Sequence, residues 1–349
     1  MNMGKKALAL CCVLAAAVLV TACTKPETKR DPQGMAYFSY FDTVSYVYSY
    51  AEDSAEEFEA RSAEVSAILQ KYHRFFDIYH EYSGVNNLCT INRLAGGEPV
   101  KVEKELIDFL LYARDLYDQT GGEMNILLGA VLTIWHDYRT AASDDPSAAR
   151  LPTEEELSEA AKHTDISLLE IDAENSTVRL ADPEASIDVG ALGKGYATEL
   201  AARHLEQQGV SGYVLDIGGN IRIIGTKPGG GKWTTGVRDP QNPDSAFSAM
   251  LELADTSCVT SGNYERYFTV NGTRYHHLID KDTLWPAEYV SSLTVITKDS
   301  GLADALSTAL FCMPYEEGLA LAQRIGGVEV LWIFSDGTVK HTPGLPIQK

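Results

Sequence analysis

Two side chains near the end of the chain could hold a divalent metal ion. Asp304 and Thr308 are four residues apart in a segment with helical periodicity, so both lie on one helix face. A carboxylate and a hydroxyl are hard oxygen ligands, which Mg²⁺ prefers, with water and phosphate oxygens completing its shell. Spacing alone favours an alternative in which Asp304 only complements the helix dipole in the first turn. The pair is therefore a candidate metal site that depends on further support.

A glycine-rich segment, Asp188–Tyr196, joins a short predicted strand to the start of a helix. Free backbone N–H groups at a helix start can bind an anion, and Lys194 would add a positive charge. The segment lacks the GxxxxGKS/T spacing of a phosphate-binding P-loop. An ordinary strand–turn–helix junction explains the segment equally well, so it indicates an anion site only in combination with other features.

A third group of polar residues surrounds a predicted hairpin. Thr260–Tyr264 supplies hydroxyl and backbone groups at a strand end, and His276 and His277 follow on a later strand. Adjacent side chains on a strand point to opposite faces, so the two histidines do not readily share one metal and a zinc site is not expected. One histidine can face a site while the other faces solvent; a structural role is the alternative.

Two further segments, Asp216–Asn220 and Lys232–Pro240, contain glycines that permit a tight turn or a close approach to a ligand. Taken singly, each indicates only a turn. Because all four groups have an ordinary structural explanation, their significance rests on their order and spacing along the chain.

The elements that must position these residues come in blocks of helices and blocks of strands. Hydrophobic periodicity predicts one half-buried strand over 37–50 and helices over 52–80, 103–119, 124–138, 153–163, 191–208, 301–311 and 315–325. Further strands are predicted at 167–171, 177–180, 186–189, 213–217, 220–225, 233–237, 247–253, 264–270, 273–279, 290–297 and 328–334. This arrangement predicts an α+β fold with largely antiparallel sheets flanked by helices.

The composition limits the class of protein. The chain has 349 residues, of which 45% are hydrophobic and 22% charged, a balance typical of a globular protein. Its 49 acidic and 29 basic side chains give a formal net charge of −20. This charge argues against nucleic acid as a partner, because phosphates are repelled. The six cysteines show no CxxC spacing, so neither a disulfide framework nor a zinc site is predicted.

The N-terminus predicts export and a lipid anchor. Two lysines precede an apolar run over 7–20, which is too short to span a membrane comfortably but fits a signal peptide over residues 1–22. The sequence Val20–Cys23 resembles a bacterial lipobox, so Cys23 is expected to carry a palmitate-type diacyl anchor. Residues 23–36 are then a flexible tether that holds the protein on the extracytoplasmic face of the cell membrane. An ordinary signal peptide with an accidental cysteine is the alternative.

In their order and spacing, these segments resemble the FAD:protein FMN transferase family, also called the ApbE family of flavin-transferring lipoproteins. The resemblance covers nearly all of residues 37–349, the expected FMN transferase domain, and implies the T-fold-like architecture of that family. The matching segments are Phe41–Thr43, Asn86-Asn87, Ile91-Asn92, Gly122–Asn125 with Trp135, Asp188–Tyr196, Asp216–Asn220, Lys232–Pro240, Thr260–Tyr264, His277–Asp280 and Ala303–Leu310.

The resemblance implies a phosphotransferase that binds FAD and Mg²⁺. Such enzymes transfer the FMN moiety of FAD to a Thr or Ser hydroxyl of a target flavoprotein, which forms a phosphoester bond and releases AMP. Their targets carry a sequence of the type Asp-x-x-Ser/Thr-Gly-Ala/Ser-Thr. These targets include subunits of membrane redox pumps and extracytoplasmic reductases.

The resemblance also implies roles for particular residues. The metal ligands are Asp304, Thr308 and the Ala191 carbonyl, and His277 lies near the reacting phosphates. Contacts to FAD are expected from ten residues: Phe41, Tyr79, Glu123, Met124, Asn125, Asp188, Lys194, Ser261, Gly262 and Ile279. The base that accepts the proton of the target hydroxyl is either His277 or a nearby carboxylate, and the sequence does not decide between them.

The chain departs from the family pattern at three places. His276 stands where serine is common, and Met124-Asn125 stands where the family often has Phe-Asp, which puts one pocket contact in doubt. Leu284 replaces a turn glycine, so the geometry of that loop is expected to differ. Two other functions stay open: an FAD pyrophosphatase that yields FMN and AMP, and a flavin-binding or solute-binding lipoprotein without chemistry.

Overall fold

The structure is a computed structural model that describes residues 31–242 and 246–348. The α-helices in these ranges are α1 (Ala55–Phe76), α2 (Leu88–Arg93), α3 (Lys104–Thr120), α4 (Gly129–Asp144), α5 (Glu154–Ala160), α6 (Gly193–Gln207), α7 (Ser300–Ala309) and α8 (Tyr315–Ile325). The strands are β1 (Gln33–Tyr40), β2 (Thr43–Ser49), β3 (Val100–Lys101), β4 (Leu169–Asp172), β5 (Thr177–Leu180), β6 (Tyr213–Ile217), β7 (Asn220–Ile224), β8 (Trp233–Arg238), β9 (Phe247–Leu253), β10 (Ser257–Gly262), β11 (Tyr267–Val270), β12 (Thr273–His276), β13 (Ser292–Thr297), β14 (Glu329–Ile333) and β15 (Val339–His341).

One eight-stranded sheet organises the molecule, in the order β1-β2-β6-β7-β10-β13-β14-β15. Its neighbouring strands pair antiparallel, as do the smaller sheets β3-β5-β4, β8-β9 and β11-β12. Helices α6 and α7 pack together and against the central strands β7, β10 and β13, while α1 packs against α6. The predicted α+β class with largely antiparallel sheets is confirmed.

Helix α1 shows how local sequence and core packing agree. Ser54 and Glu57 form a capping box, in which each side chain accepts a hydrogen bond from the other residue's backbone N–H. The residues on its buried face recur every three or four positions, as an amphipathic helix requires. They are Phe58, Ser62, Val65, Leu69, Tyr72, Phe75 and Phe76, and the apolar ones belong to the largest core cluster.

The prediction of one strand over 37–50 is wrong, because two residues turn the chain back on itself. Phe41 and Asp42 have φ angles of 53° and 50°, and their turn joins Tyr40 of β1 to its partner Thr43 of β2. Such hairpin turns favour glycine or asparagine, and neither of the two turn residues is of these types. Left-handed backbone in other residues costs about 1–2 kcal/mol each. The backbone N–H of Phe41 donates to Nδ1 of His73 at 3.3 Å, which ties the turn to α1.

The predicted tether over residues 23–36 extends four residues too far, because its last four residues belong to a strand. Strand β1 begins at Gln33, and its residues 33–36 pair with 46–49 of β2, so they belong to the sheet. The predicted signal peptide at 1–22 and the lipidation site Cys23 lie outside the described residues. Among the residues that are described, no helix combines the length and apolar character needed to cross a membrane.

The predicted strand at 186–189 is also wrong, because its backbone bonds to side chains and turns instead of a strand. The N–H of Ile187 donates to Asn92 Oδ1, and the N–H of Asp188 donates to the Ile126 carbonyl, both at 2.8 Å. A Cβ on Gly129, the first residue of α4, would lie 2.2 Å from the Ser186 carbonyl oxygen. This glycine therefore lets the segment that carries Asp188 lie directly on the start of α4.

A second glycine sets the contact between α6 and α7. A Cβ on Gly195 would lie 2.3 Å from the Ser300 carbonyl oxygen and 2.4 Å from Cβ of Asp304. Neither atom is the flexible end of a side chain, so any side chain here must push the two helices apart. Gly195 thus permits the close packing that places the Asp188–Tyr196 segment beside Asp304.

We expect Gly195→Ala to lower the free energy of unfolding by roughly 1–3 kcal/mol, because the added methyl group overpacks the α6–α7 contact. The matched control is Gly318→Ala in α8, where the new Cβ would meet its neighbours at an ordinary 3.5 Å. That change should raise stability by about 0.5–1 kcal/mol, because glycine is a poor helix former. Urea denaturation of the two variants measures both effects, and equal stabilisation by both would contradict the close contact.

Candidate functional site

A cleft with a volume of about 1210 Å³ opens over the central strands and the N-terminal part of α6. Pockets for single small molecules typically measure ~300–1,000 Å³, so this cleft has room for a dinucleotide. All fourteen residues predicted to act in this domain line it: Phe41, Tyr79, Glu123, Met124, Asn125, Asp188, Ala191, Lys194, Ser261, Gly262, His277, Ile279, Asp304 and Thr308. The fold thus gathers segments more than two hundred residues apart in sequence.

The carboxylate of Asp304 lies at the inner wall of the cleft and is 4% exposed. Its Oδ2 accepts a hydrogen bond from the Gly195 N–H at 2.8 Å, and its Oδ1 lies 3.9 Å from Nζ of Lys194. Burial raises the pKa of Asp304, while Lys194, the Gly195 N–H and the nearby Asn220 amide lower it. A buried carboxylate with one short hydrogen bond retains unused acceptor capacity on its cleft side.

Three residues that line the cleft could supply oxygen donors of different chemical kinds: Asp304 a carboxylate, Thr308 a hydroxyl and Ala191 a backbone carbonyl. This donor set suits a hard cation such as Mg²⁺, which binds few protein ligands and keeps water or phosphate oxygens. In the described part of the chain, no three His, Cys, Asp or Glu side chains cluster as a metal site of their own. The residues fit a cation shared with a phosphate ligand better than a closed structural site.

Asp188 and Lys194 occupy the two ends of the turn before α6. Oδ1 of Asp188 accepts from the Gly190 N–H at 2.8 Å, which fixes the carboxylate at the turn. Burial raises the pKa of Asp188, against the opposing effect of His136, Arg139 and Lys194. Lys194 stands near both carboxylates, so the floor of the cleft alternates negative and positive groups.

The two histidines have different surroundings, but neither faces open solvent, and His277 lies just beyond the end of β12. His276 is buried, its Nε2 lies 2.9 Å from the Ala287 carbonyl, and its ring packs edge-on against Phe311. His277 faces the cleft beside Arg266: its backbone N–H donates to the Arg266 carbonyl, and its Nδ1 lies 3.2 Å from the same oxygen. Because a carbonyl only accepts, Nδ1 carries the proton and Nε2 keeps a free lone pair.

Electrostatics keep His277 neutral. Burial, together with the positive charges of Arg266 and Arg139, lowers the pKa of His277 to about 3. An unfolded chain has an ordinary histidine pKa of ~6.5. Between these two pKa values, the unfolded state therefore holds a proton on the imidazole of His277 that the folded state lacks. The stability contributed by neutral His277 is present above pH ~6.5 and is lost as the pH falls through that range.

Sequence reasoning missed the two arginines that act on His277. Arg139 lies on α4 one helical turn after the buried Trp135, and Arg266 directly precedes β11. Both line the cleft together with His136, whose Nδ1 accepts from Arg139 at 2.8 Å. Helical spacing from Trp135 was the available signal for Arg139. Arg266 had none, because an isolated charge beside a hairpin is normally a solvated surface residue.

The residues predicted to line a flavin pocket contribute in unequal ways. Tyr79 is 53% exposed at the cleft mouth, and its ring lies 5.2 Å from that of His136. Glu123 lies 3.2 Å from Lys281, and burial raises its pKa. Asn125 donates to the Thr164 carbonyl and accepts from the Leu127 N–H, both at 2.9 Å. Its amide therefore caps the turn before α4, and these two bonds leave one N–H and one lone pair of the amide for other contacts.

The end of β10 and the segment after β12 also line the cleft. Ser261 Oγ lies 2.8 Å from Ser307 Oγ of α7, and Gly262 makes room for the ring of Tyr264, which a Cβ would approach to 2.5 Å. Ile279 pairs with Pro286 across the next loop. In that loop Leu284 has a φ of 64°, the left-handed conformation that a glycine would adopt. Leucine thus adopts a glycine-like backbone here, and the expectation that this loop differs from the family pattern stays a prediction.

We expect the ring of His277 to remain neutral between pH 5 and 8, and its pKa to rise when Arg139 or Arg266 is replaced by Gln. The reason is that each substitution removes a positive charge that disfavours the imidazolium. Histidine ring resonances followed by NMR across pH measure this directly. Arg274→Gln is the control, since that guanidinium lies over the Tyr267 ring and outside the cleft. An unchanged His277 pKa in both cleft variants would refute this account.

Comparison with known proteins identifies the family of this chain. The model of the ApbE family matches residues 42–332. The FAD:protein FMN transferase of Treponema pallidum is 33% identical over 318 residues, covering 87% of this chain and 85% of that protein. The FAD:protein FMN transferase of Vibrio cholerae is 28% identical over 311 residues, covering 89% of each. The crystal structure of the ApbE protein from Thermotoga maritima superposes with a TM-score of 0.78 at 28% identity, over 90% of this chain and 97% of that one. This chain therefore belongs to the ApbE family.

Proposed function

We propose that this chain is an FAD:protein FMN transferase, which moves the FMN moiety of FAD to a Thr or Ser hydroxyl of a target flavoprotein. The observation that carries the proposal is the meeting of fourteen residues from dispersed segments in one cleft of about 1210 Å³. The 85% coverage of the Treponema pallidum transferase supports it, because the shared region is nearly that whole protein.

Mg²⁺ is proposed as the cofactor, held by Asp304, Thr308 and the Ala191 carbonyl. The buried carboxylate with free acceptor capacity, beside a hydroxyl and a carbonyl, fits a hard cation. When bound, Mg²⁺ would neutralise the charge of the FAD diphosphate and favour displacement at phosphorus. Without such a charge, an acidic chain would repel a dianionic substrate.

His277 is proposed as the general base. Its Nδ1–H donates to the Arg266 carbonyl, which leaves Nε2 free to accept the proton of the target hydroxyl. In the reaction, a P–O bond forms between the hydroxyl oxygen and the FMN phosphorus, and the P–O bond to AMP breaks. The proton passes to His277, and AMP leaves with the electron pair of the broken bond. Lys194 contributes positive charge near the diphosphate.

The target is proposed to be a flavoprotein with an Asp-x-x-Ser/Thr-Gly-Ala/Ser-Thr type segment, such as a redox-pump subunit or an extracytoplasmic reductase. The mouth of the cleft is open enough to leave Tyr79 half exposed, which suits a protein segment as second substrate. The protein itself is proposed to sit on the extracytoplasmic face of the cell membrane, anchored by lipid on Cys23.

We expect Asp304→Asn to abolish labelling of a carrier protein that ends in Asp-x-x-Thr-Gly-Ala-Thr, incubated with FAD and Mg²⁺. The substitution keeps the size of the side chain but removes the charge that would hold the cation. Flavin fluorescence of the carrier on a denaturing gel measures transfer, and chromatography measures FMN and AMP. Removing Mg²⁺ with a chelator should stop the reaction, and added Mg²⁺ should restore it.

The matched control is Asp299→Asn on the same helix. Asp299 is the N-cap of α7, lies outside the cleft, and asparagine caps helices equally well, so activity should persist. Unlabelled carrier with free FMN and AMP would indicate a pyrophosphatase instead, and binding of FAD without products would indicate a binding protein. Full activity of Asp304→Asn would contradict the metal site.

Cys23→Ser should move the protein from the membrane fraction to the soluble extracytoplasmic fraction, because a serine cannot carry the thioether-linked lipid. Cell fractionation followed by immunoblotting measures the distribution. Cys89→Ser, which changes a cysteine inside the folded domain, is the control and should leave the protein on the membrane. Membrane retention of the Cys23 variant would refute the anchor.

A further inference from the structure

Two guanidinium groups at the cleft mouth have no carboxylate partner. Neither Arg139 nor Arg266 takes part in an ion pair among residues 31–242 and 246–348. Most of the other arginines without an ion pair in these ranges lie over an aromatic ring or donate to a backbone carbonyl, as Arg150, Arg274 and Arg324 do. Arg139 donates only to His136, and Asp188 lies near it but beyond ion-pair distance. In a chain with a net charge of −20, two unpaired cations side by side are a departure that points to an anionic ligand.

The arginines face a side pocket that adjoins the main cleft. This pocket measures about 370 Å³, and six of its seven lining residues also line the main cleft. The seven are Asp42, Tyr79, His136, Arg139, Glu265, Arg266 and Tyr267. A ligand group in the side pocket can therefore be part of a molecule that also reaches the reacting centre.

The charge of the side pocket is positive at its Arg139–Arg266 side. Two acidic residues share the pocket, Asp42 and Glu265. Glu265 lies 3.7 Å from Arg238, so its charge is largely balanced by that guanidinium. Asp42 is the remaining acid, set against two arginines. The positive charge of this pair acts within the protein: in addition to burial, both guanidiniums lower the pKa of His277, and Arg266 lowers the pKa of Arg139.

The position of His277 decides which substrate these arginines meet. In an in-line displacement at phosphorus, the attacking oxygen and the leaving AMP lie on opposite sides of the reacting atom. His277, as the base, must stand on the side of the attacking hydroxyl. Arg266 lies directly across the hairpin from His277, so both are on the acceptor side. The nucleotide's leaving half belongs on the opposite side.

We propose that Arg139 and Arg266 bind an acidic side chain of the acceptor segment and thereby hold its target hydroxyl against His277. This inference rests on the proposed function, and it adds the site that recognises the second substrate. A carboxylate can accept parallel N–H bonds from a guanidinium, which fixes orientation as well as position. The two arginines are thus specificity-determining residues for acidic acceptor segments.

Steady-state labelling of the carrier protein tests this proposal. Arg139→Gln and Arg266→Gln should each raise the KM for the carrier about 10- to 100-fold, the loss typical of one charge-assisted hydrogen bond, with the KM for FAD unchanged. Replacing the Asp of the carrier segment by Asn should weaken labelling by wild type to a similar degree. It should add little further loss in Arg266→Gln, since both changes remove one interaction.

Charge reversal supplies the decisive comparison. Arg266→Glu should label the original carrier poorly and should recover at least tenfold with a carrier whose Asp is replaced by Arg. Arg274→Gln, which removes an exposed arginine on β12 outside both pockets, is the control and should behave as wild type. Rescue of this kind would not follow from a purely structural role.

Other outcomes would overturn the proposal. A higher KM for FAD, or weaker FAD binding measured by flavin fluorescence, would assign the arginines to the nucleotide phosphates instead. Unchanged kinetics in both Gln variants would remove any role in recognition while leaving the transferase function intact. Failure of wild type to label any carrier would instead refute the proposed function, and this inference with it.

Discussion

The structure depends on placing one carboxylate where water is scarce. Asp304 stays buried because α7 lies directly against the first turn of α6, and this contact exists only because residue 195 has no side chain. The same contact supplies the backbone N–H that bonds Asp304 and brings Lys194 to 3.9 Å. A carboxylate held in this way would meet the proposed cation with its desolvation cost already offset by folding. The close packing of α6 against α7 and the environment of the Asp304 carboxylate therefore depend on the same contact.

The distribution of charge follows from the acidity of the chain. An excess of twenty acidic side chains helps keep the surface soluble but opposes the approach of phosphates and of acidic protein segments. Positive side chains in the cleft offset this repulsion locally: Lys194 lies on its floor, and Arg139 and Arg266 lie at its mouth. Lys194 and the pair of arginines serve different regions of the cleft, so the net charge of the protein says little about the potential that a substrate meets.

Sequence reasoning succeeded where one local pattern determines the outcome. The placement of Asp304 and Thr308 on one helix, α7, needed only the period of a single element. Sequence reasoning failed where tertiary contacts decide. The turn at Phe41 uses left-handed residues without glycine, and the backbone of 186–189 bonds to Asn92 instead of a neighbouring strand.

The arginines show a further limit of sequence reasoning. Arg139 and Arg266 are far apart along the chain, and neither belongs to a motif. Their significance arises only when α4 and the β11–β12 hairpin meet at the cleft. Whether an arginine has a carboxylate partner depends on distances in the folded protein. The absence of such partners is therefore a property of the fold. No window of sequence around either residue contains that information.

The position of these charges also bears on the choice between protein acceptor and water. His277 is a weak base because burial and, in addition, the positive charge of the two guanidiniums disfavour its protonated form. An acidic segment bound between them would cancel much of that charge, so the pKa of His277 would rise as the segment docks. Water carries no charge and brings no such change. The base would therefore be strongest when the proper substrate is present, which favours transfer over hydrolysis without any moving lid.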